Sequence, residues 1–258
     1  MASSPIYDTL GQGYSARRRE DPRIAAAIYA ALGDARHVLN VGAGTGSYEP
    51  VDRPVVALDP SATMLRQRQA TAAPVVQGCA ESLPFADGAF DAVMGVLTLH
   101  HWTDQSLALR ECARVARTRL VFFTWDPADA GFWLTQDYFP HFLEWDRRRF
   151  PSVEMLVRET GRPGRVVVDR VPVPRDCVDG FLGAHWARPD AYVTETMRSF
   201  SCHFTGAESA TGLARLEADL ADGSWARRYG HLLNHAALDI GYRVVRIEFE
   251  HTSVARGA

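Results

Sequence analysis

The sequence predicts an α/β protein, a doubly wound and mostly parallel sheet with helices on both faces, and three observations predict it. An apolar run, His37 to Val41, empties into Gly42-Ala43-Gly44-Thr45-Gly46. Four further apolar runs of strand length follow, separated by segments of helical pattern, as βα alternation requires. The runs end in residues that carry chemistry: Asp59, Glu81, His100-His101 and Trp125-Asp126. Open parallel sheets bind ligands at the carboxyl ends of their strands, so these ends are expected to share one site.

Length and composition bound the reading. A chain of 258 residues fits one large domain or a core with a sizeable insertion. The net charge of −3 gives no general attraction to nucleic acid or anionic membrane. Every basic residue counted as Lys or Arg is arginine. Schiff-base chemistry and lysine-dependent phosphate loops are thereby excluded. Cys79, Cys112, Cys177 and Cys202 stand apart with no C-x-x-C pair, which fits reduced thiols in a cytosolic protein. The N-terminus has no apolar signal core and no run approaches a membrane span, so a soluble, cytoplasmic protein is expected.

Taken in order, the chain begins with Tyr7, Tyr14 and the run Arg17-Arg18-Arg19, which reads as a solvated face. Asp21-Pro22 opens a helix through Ile24, Ala27, Ile28 and Leu32 that Gly33 ends. Residues 1–35 are expected to form an N-terminal helical lid over a core spanning 36–258. Pro50 and Pro54 leave room for a crossover helix of a turn or two at most before the strand Val55 to Leu58. Asp59 closes that strand where a ribose-binding carboxylate belongs; its competing role is N-cap of a helix over 61–68. Strands over 74–77, 90–97 and 119–124 follow, and Thr103 is positioned to cap a helix through Leu107, Arg110, Cys112 and Val115.

Beyond 127 the texture changes. Phe132, Trp133, Tyr138, Phe139, Phe142, Trp145 and Phe150 crowd one segment before a helix that ends near Gly161. Insertions are expected at about 127–164 and 172–240, with strands at 166–171 and 242–249. Aromatic insertions of this kind read as lid core, or as the lining of a pocket for an uncharged, planar or apolar ligand. The run Arg147-Arg148-Arg149 reads as a solvated helix face. His231 and His235 lie one helical turn apart but lack the glutamate of H-E-x-x-H and any third ligand, so no metal is expected.

Four of these features together resemble the class I S-adenosylmethionine-dependent methyltransferases, in the small-molecule branch akin to the ubiquinone-biosynthesis type. The glycine loop resembles the family's first motif, and Asp59 its ribose-binding acid. Cys79-Ala80-Glu81-Ser82-Leu83-Pro84-Phe85 resembles the adenine-contacting D-A-E-x-L-P-F segment, and Phe90 to Trp102 the fourth-strand motif that often ends in His-His. Two positions depart: Asn40 and Cys79 stand where the family usually carries acids.

The resemblance implies a Rossmann-like sheet of seven strands with the last one antiparallel, and S-adenosyl-L-methionine as cofactor. It implies cofactor contacts from Asn40, Gly42, Ala43, Gly44, Gly46, Asp59, Pro60, Ser61, Met64, Cys79, Ala80, Glu81 and Leu97. Elements at the N-terminus and after the fourth, fifth and sixth strands would hold the acceptor, with Tyr7, Tyr14, Trp125, His185 and Trp186 as candidates. A base is needed only for an acceptor that arrives protonated, and His100, His101, Tyr14 and His185 are the candidates. Adjacent at a strand end, the two histidines are expected to diverge, with His100 facing the pocket and His101 fixing the loop.

The predicted activity is methyl transfer to a small-molecule acceptor on oxygen, nitrogen or carbon, in specialised metabolism. A nicotinamide oxidoreductase is the alternative from another class. It is disfavoured because Ser47 breaks G-x-G-x-x-G and no Tyr-x-x-x-Lys is present. A protein of the same fold and cofactor that cyclises or merely binds stays open, since Asn40 and Cys79 each remove a carboxylate. Nucleic-acid methylation is disfavoured by the acidic balance and the missing basic stripe.

Overall fold

The structure is a computed structural model and describes residues 18–128, 131–194, 204 and 207–250. Tyr7, Tyr14 and Cys202 lie outside the described residues. Helix α1, Pro22–Leu32, begins as its sequence dictates: Asp21 accepts from the Arg23 N–H, Pro22 occupies the first turn, and Gly33 closes it at φ 54°. Its apolar stripe, including Ile24, Ile28 and Leu32, joins the same core as Val38, Val121 and Phe123. Within the segment expected as an N-terminal lid, this helix packs as a layer on the sheet.

Among the described residues nine strands follow in chain order. They are β1 (Val38–Val41), β2 (Val55–Asp59), β3 (Val75–Gln77), β4 (Phe90–Val96), β5 (Ala116–Trp125), β6 (Gly164–Arg170), β7 (Val173–Pro174), β8 (Ala237–Leu238) and β9 (Tyr242–Phe249). Seven form one sheet in the order β3-β2-β1-β4-β5-β9-β6, and β7 pairs with β8 apart from it. The strands β1 to β5 pair in parallel, while β9 runs antiparallel to both β5 and β6. The expected seven-stranded, mostly parallel sheet with an antiparallel last strand is what the chain forms.

Alternation along the strands sorts side chains onto two faces. Val38, Ala92, Met94, Val121, Phe123 and Val244 meet α1 and the insertion aromatics. Leu39, Val41, Val93, Leu120, Phe122 and Val245 meet helix α3, Gln105–Val115, and Leu156 of α5, Val153–Glu159. Burying both faces explains why the central strands are nearly all apolar.

Several local expectations are corrected. No helix joins β1 to β2: residues 47–54 are turns and bends, consistent with two prolines in so short a link. Helix α2 is a single turn, Ala62–Leu65, capped by Ser61. Asp104 rather than Thr103 caps α3, its carboxylate accepting from the Leu107 N–H. The aromatic segment gives α4, Pro140–Arg149, and then α5, with Pro151 in the break between them. Helices α6, Ala207–Ala221, and α7, Ser224–Tyr229, complete the second insertion. His231 lies in a short 3₁₀ turn and His235 leaves it in an extended conformation, so they are not on one α-helical face. Among the described residues no helix is long and apolar enough to cross a membrane.

Candidate active site

The order β3-β2-β1-β4 makes β1 and β4 neighbours whose connections leave in opposite directions. A crevice opens beyond their carboxyl ends, where ligands bind in open α/β sheets. It holds a cavity of ≈ 370 Å³, of the size of a small-ligand site.

The loop after β1 forms one wall. Gly42, Gly44 and Gly46 adopt φ of 72°, 52° and 95°, a region that side chains with a Cβ rarely enter. The Gly42 and Ala43 N–H groups both donate to the Leu58 carbonyl, at 2.8 and 3.0 Å, which folds the loop back over β2. A Cβ at Gly42 would stand 1.9 Å from Thr98 Oγ1, whereas at Gly44 its near neighbour is the flexible Met64 Cε at 3.1 Å. Gly42 thus admits the turn after β4, and Gly44 keeps main chain bare toward the cavity.

Asp59 ties this wall to the next. Its carboxylate is buried and accepts from the Gly44 N–H at 2.8 Å and the Ser61 N–H at 2.9 Å. The rivalry between ribose acid and helix cap resolves locally: Ser61 caps α2, and Asp59 organises both loops from the cavity wall. Glu81 performs the same service between the turns after β3 and β4, accepting from the Thr103 N–H at 2.7 Å and the Asp104 N–H at 3.2 Å.

Asn40, Gly42, Ala43, Gly44, Asp59, Pro60, Ser61, Met64, Cys79, Ala80, Glu81 and Leu97 all line this cavity; Gly46 does not. A Cβ on Gly46 would meet the Arg68 guanidinium at 3.0 Å, so that glycine makes room for a buried arginine behind the loop. Leu97 leaves β4 at φ 48°, a conformation that costs a non-glycine residue energy and turns the chain into the cavity rim.

The catalytic and acceptor candidates divide. His100 and His101 lie on a 3₁₀ turn, Leu99–His101, and their rings meet at a tilt with centroids 3.8 Å apart instead of diverging. His101 lines the cavity; His100 does not, and packs on Phe150 at 4.2 Å. The expected placement of the pair differs in this respect: His101, not His100, faces the cavity. A 3₁₀ turn advances about 120° per residue where a strand advances 180°, so neighbours need not point apart.

Trp125, His185 and Trp186, the acceptor candidates among the described residues, do not line this cavity. The Trp125 indole N–H donates to the Ile240 carbonyl at 2.7 Å and that of Trp186 to the Val173 carbonyl at 2.8 Å, both within the aromatic core. Burial, with the Arg188 guanidinium near, pushes the His185 imidazole down to about 4, so it is neutral at ordinary pH. The insertion aromatics also bury against the sheet, and the expected apolar, aromatic-lined pocket is not what they form.

Sequence reading missed two arginines. Arg18 and Arg149 line the cavity, yet each belongs to an arginine run that reads as a solvated face. Arg18 donates from Nε and Nη2 to Asp179, at 2.7 and 3.1 Å, and the Tyr48 hydroxyl donates to the same carboxylate at 2.8 Å. Asp146, beside the second arginine run, is buried as well. No local pattern marks such residues, because tertiary contacts select one member of each run. Thr98, Trp102 and Thr103 also line the cavity, and the rule of strand carboxyl ends would have found them.

A sheet of this order with a glycine-lined crevice at its switch point is a doubly wound fold of the nucleotide-binding kind, and comparisons narrow it. Residues 39–123 match the family described as Methyltransferase domain. A demethylmenaquinone methyltransferase of Mycolicibacterium paratuberculosis is 41% identical over 165 residues, 60% of this chain and 70% of that protein. The protein YafE of Escherichia coli is 47% identical over 70 residues, 24% of this chain and 34% of its own. A crystal structure described as a methyltransferase from an antibiotic biosynthesis pathway of Anabaena variabilis superposes with a TM-score of 0.78 at 32% identity. It covers 89% of this chain and 98% of that one. The chain belongs to the class I S-adenosylmethionine-dependent methyltransferases, in their ubiquinone- and menaquinone-like branch. It spans about a third of the length of the first two curated relatives, 34% and 30%.

The cavity fits the cofactor that this family uses, S-adenosylmethionine. The backbone at Gly44 is bare, Asp59 is fixed beside it, and buried Asn40 Oδ1 has no hydrogen-bond partner among the described residues. Such an acceptor suits a ligand that brings a donor.

Proposed function

We propose that the protein transfers the methyl group of S-adenosylmethionine to a small-molecule acceptor, on oxygen, nitrogen or carbon, in specialised metabolism. The observation that carries this reading is the Asp59 carboxylate, held by the Gly44 and Ser61 N–H groups at the wall of the crevice. The residues 42–44, 59–61 and 79–81 would hold the adenosyl part, with Asn40 offering an acceptor to the amino group. The bound cofactor supplies a methyl group on a sulfonium, a good leaving group. This chain has only to align the acceptor and exclude water, which contributes about 7–11 kcal/mol where alignment is good.

His101 is the proposed base for an acceptor that arrives protonated, because it stands in the cavity wall beside Trp102 and Thr103. The 32% identity to a structure described as belonging to an antibiotic pathway supports specialised metabolism. Calorimetry with S-adenosylhomocysteine tests the site, and incubation with methyl-labelled cofactor and candidate acceptors tests the activity. Asp59→Asn is expected to weaken S-adenosylhomocysteine binding about 10–100-fold, since one charge-assisted acceptor becomes a donor facing an N–H. A wild-type protein that binds the cofactor and never releases its methyl group would leave a cyclase or binding module as the function.

A further inference from the structure

Resting on the methyltransferase reading, we infer that Arg149 is a specificity residue that binds an anionic group, carboxylate or phosphate, on the methyl acceptor. Arg149 ends α4 and lines the cavity, together with His101, Trp102 and Thr103. Three contacts set it in place. Its Nη2 donates to the His100 carbonyl at 3.1 Å, its guanidinium lies 4.4 Å from the centroid of the Trp145 ring, and its own carbonyl accepts from Gln105 Nε2 at 2.6 Å. A guanidinium has five N–H donors in a planar fork, matched to the two oxygens of a carboxylate or phosphate. Among the described residues no carboxylate forms an ion pair with Arg149.

The other charges of the cavity wall are already engaged. Arg18 is paired with the buried Asp179 at 2.7 Å. Asp59 and Glu81 accept main-chain N–H groups at the cofactor side. The cavity thus has acidic groups where adenosine hydroxyls and amine would lie, and beside the proposed base a preorganised cation with no carboxylate partner among the described residues. An acceptor with an anionic group next to a planar body would meet Arg149, with Trp102 and His101 alongside. This reverses the uncharged acceptor that the aromatic insertions suggest from sequence.

The test uses fragment probes of matched shape on the full chain saturated with S-adenosylhomocysteine: benzoate, phenyl phosphate and benzamide, titrated by ligand-observed NMR. The expected result is that benzoate or phenyl phosphate binds wild type at least about tenfold more tightly than benzamide. The preferred anion then identifies the group. Arg149→Gln abolishes that preference and Arg149→Lys, which keeps the charge without the fork, recovers part of it. Equal binding of anion and amide probes, or a preference that survives Arg149→Gln, would overturn the assignment. Arg149→Gln is expected to leave S-adenosylhomocysteine affinity within about twofold. A larger loss there would assign Arg149 to the cofactor carboxylate and refute the acceptor role. Failure of wild type to bind S-adenosylhomocysteine at all would instead refute the methyltransferase reading. Thermal melts of both variants verify that the fold is kept.

Discussion

Asn40 donates from Nδ2 to Oε1 of Glu49 at 3.0 Å, and the buried Arg68 guanidinium holds the other oxygen, Oε2, at 2.6 Å. A carboxylate only accepts, so Glu49 fixes the Asn40 amide with its nitrogen inward and leaves Oδ1 as the spare acceptor. The family's usual acid at position 40 would put two carboxylates about 3 Å apart with one arginine between them, and like charges so close resist joint ionisation. The chain carries its carboxylate nine residues further on, and Asn40 is the matching change.

Restoring the acid should therefore harm the protein. Asn40→Asp is expected to cost about 1–3 kcal/mol at neutral pH, and the pair then titrates with one raised carboxylate value. A raised folded-state value means stability is present at low pH and is lost as pH rises through it. Asn40→Asp/Glu49→Gln should recover most of the loss. Urea melts at pH 5 and pH 8 measure this, and an additive double mutant would contradict it.

Gly42 is set by sterics and backbone together. Gly42→Ala is expected to destabilise by about 2–5 kcal/mol, combining a left-handed φ with a Cβ 1.9 Å from Thr98 Oγ1. Adding Thr98→Gly should return the steric share and leave the backbone share. Thermal unfolding of the two variants separates them; no recovery in the double variant would show that backbone conformation alone matters.

The two adjacent histidines should behave differently. His101→Gln is expected to lower kcat about 10²-fold for a protonated acceptor, with S-adenosylhomocysteine affinity unchanged. His100→Gln removes packing on Phe150 and should lower stability more than it lowers kcat. Steady-state kinetics on both variants decides, and a larger kcat loss at position 100 would reassign the base.

His185 makes stability pH-dependent on the acid side. Its value falls from an ordinary 6.5 to about 4 on folding, through burial first and then the Arg188 charge, with Asp179 opposing. The unfolded chain therefore binds the extra proton between those values, and stability falls as pH drops from about 6.5 to about 4. His185→Phe should flatten that stretch of the stability profile. Chemical denaturation across pH 4–7 reads it out, and an unchanged slope would remove His185 as the cause.

Local chemistry made much of this protein legible from sequence alone. Apolar runs set the strands, Asp21-Pro22 and Gly33 bounded α1, and strand-end glycines and acids marked the crevice, because each depends on contacts within a few residues. Tertiary structure alone decided what depends on distant partners. It selected Arg18 and Arg149 from two arginine runs by giving one an aspartate of the second insertion and the other a tryptophan and a carbonyl. It placed His101 rather than His100 in the cavity through the stacking of His100 on Phe150. It turned the aromatic insertions inward, since burying rings on the sheet face stabilises more than lining a wet crevice. Periodicity records which residues avoid water, whereas the partner that each charged group finds is fixed only when segments far apart in the chain meet.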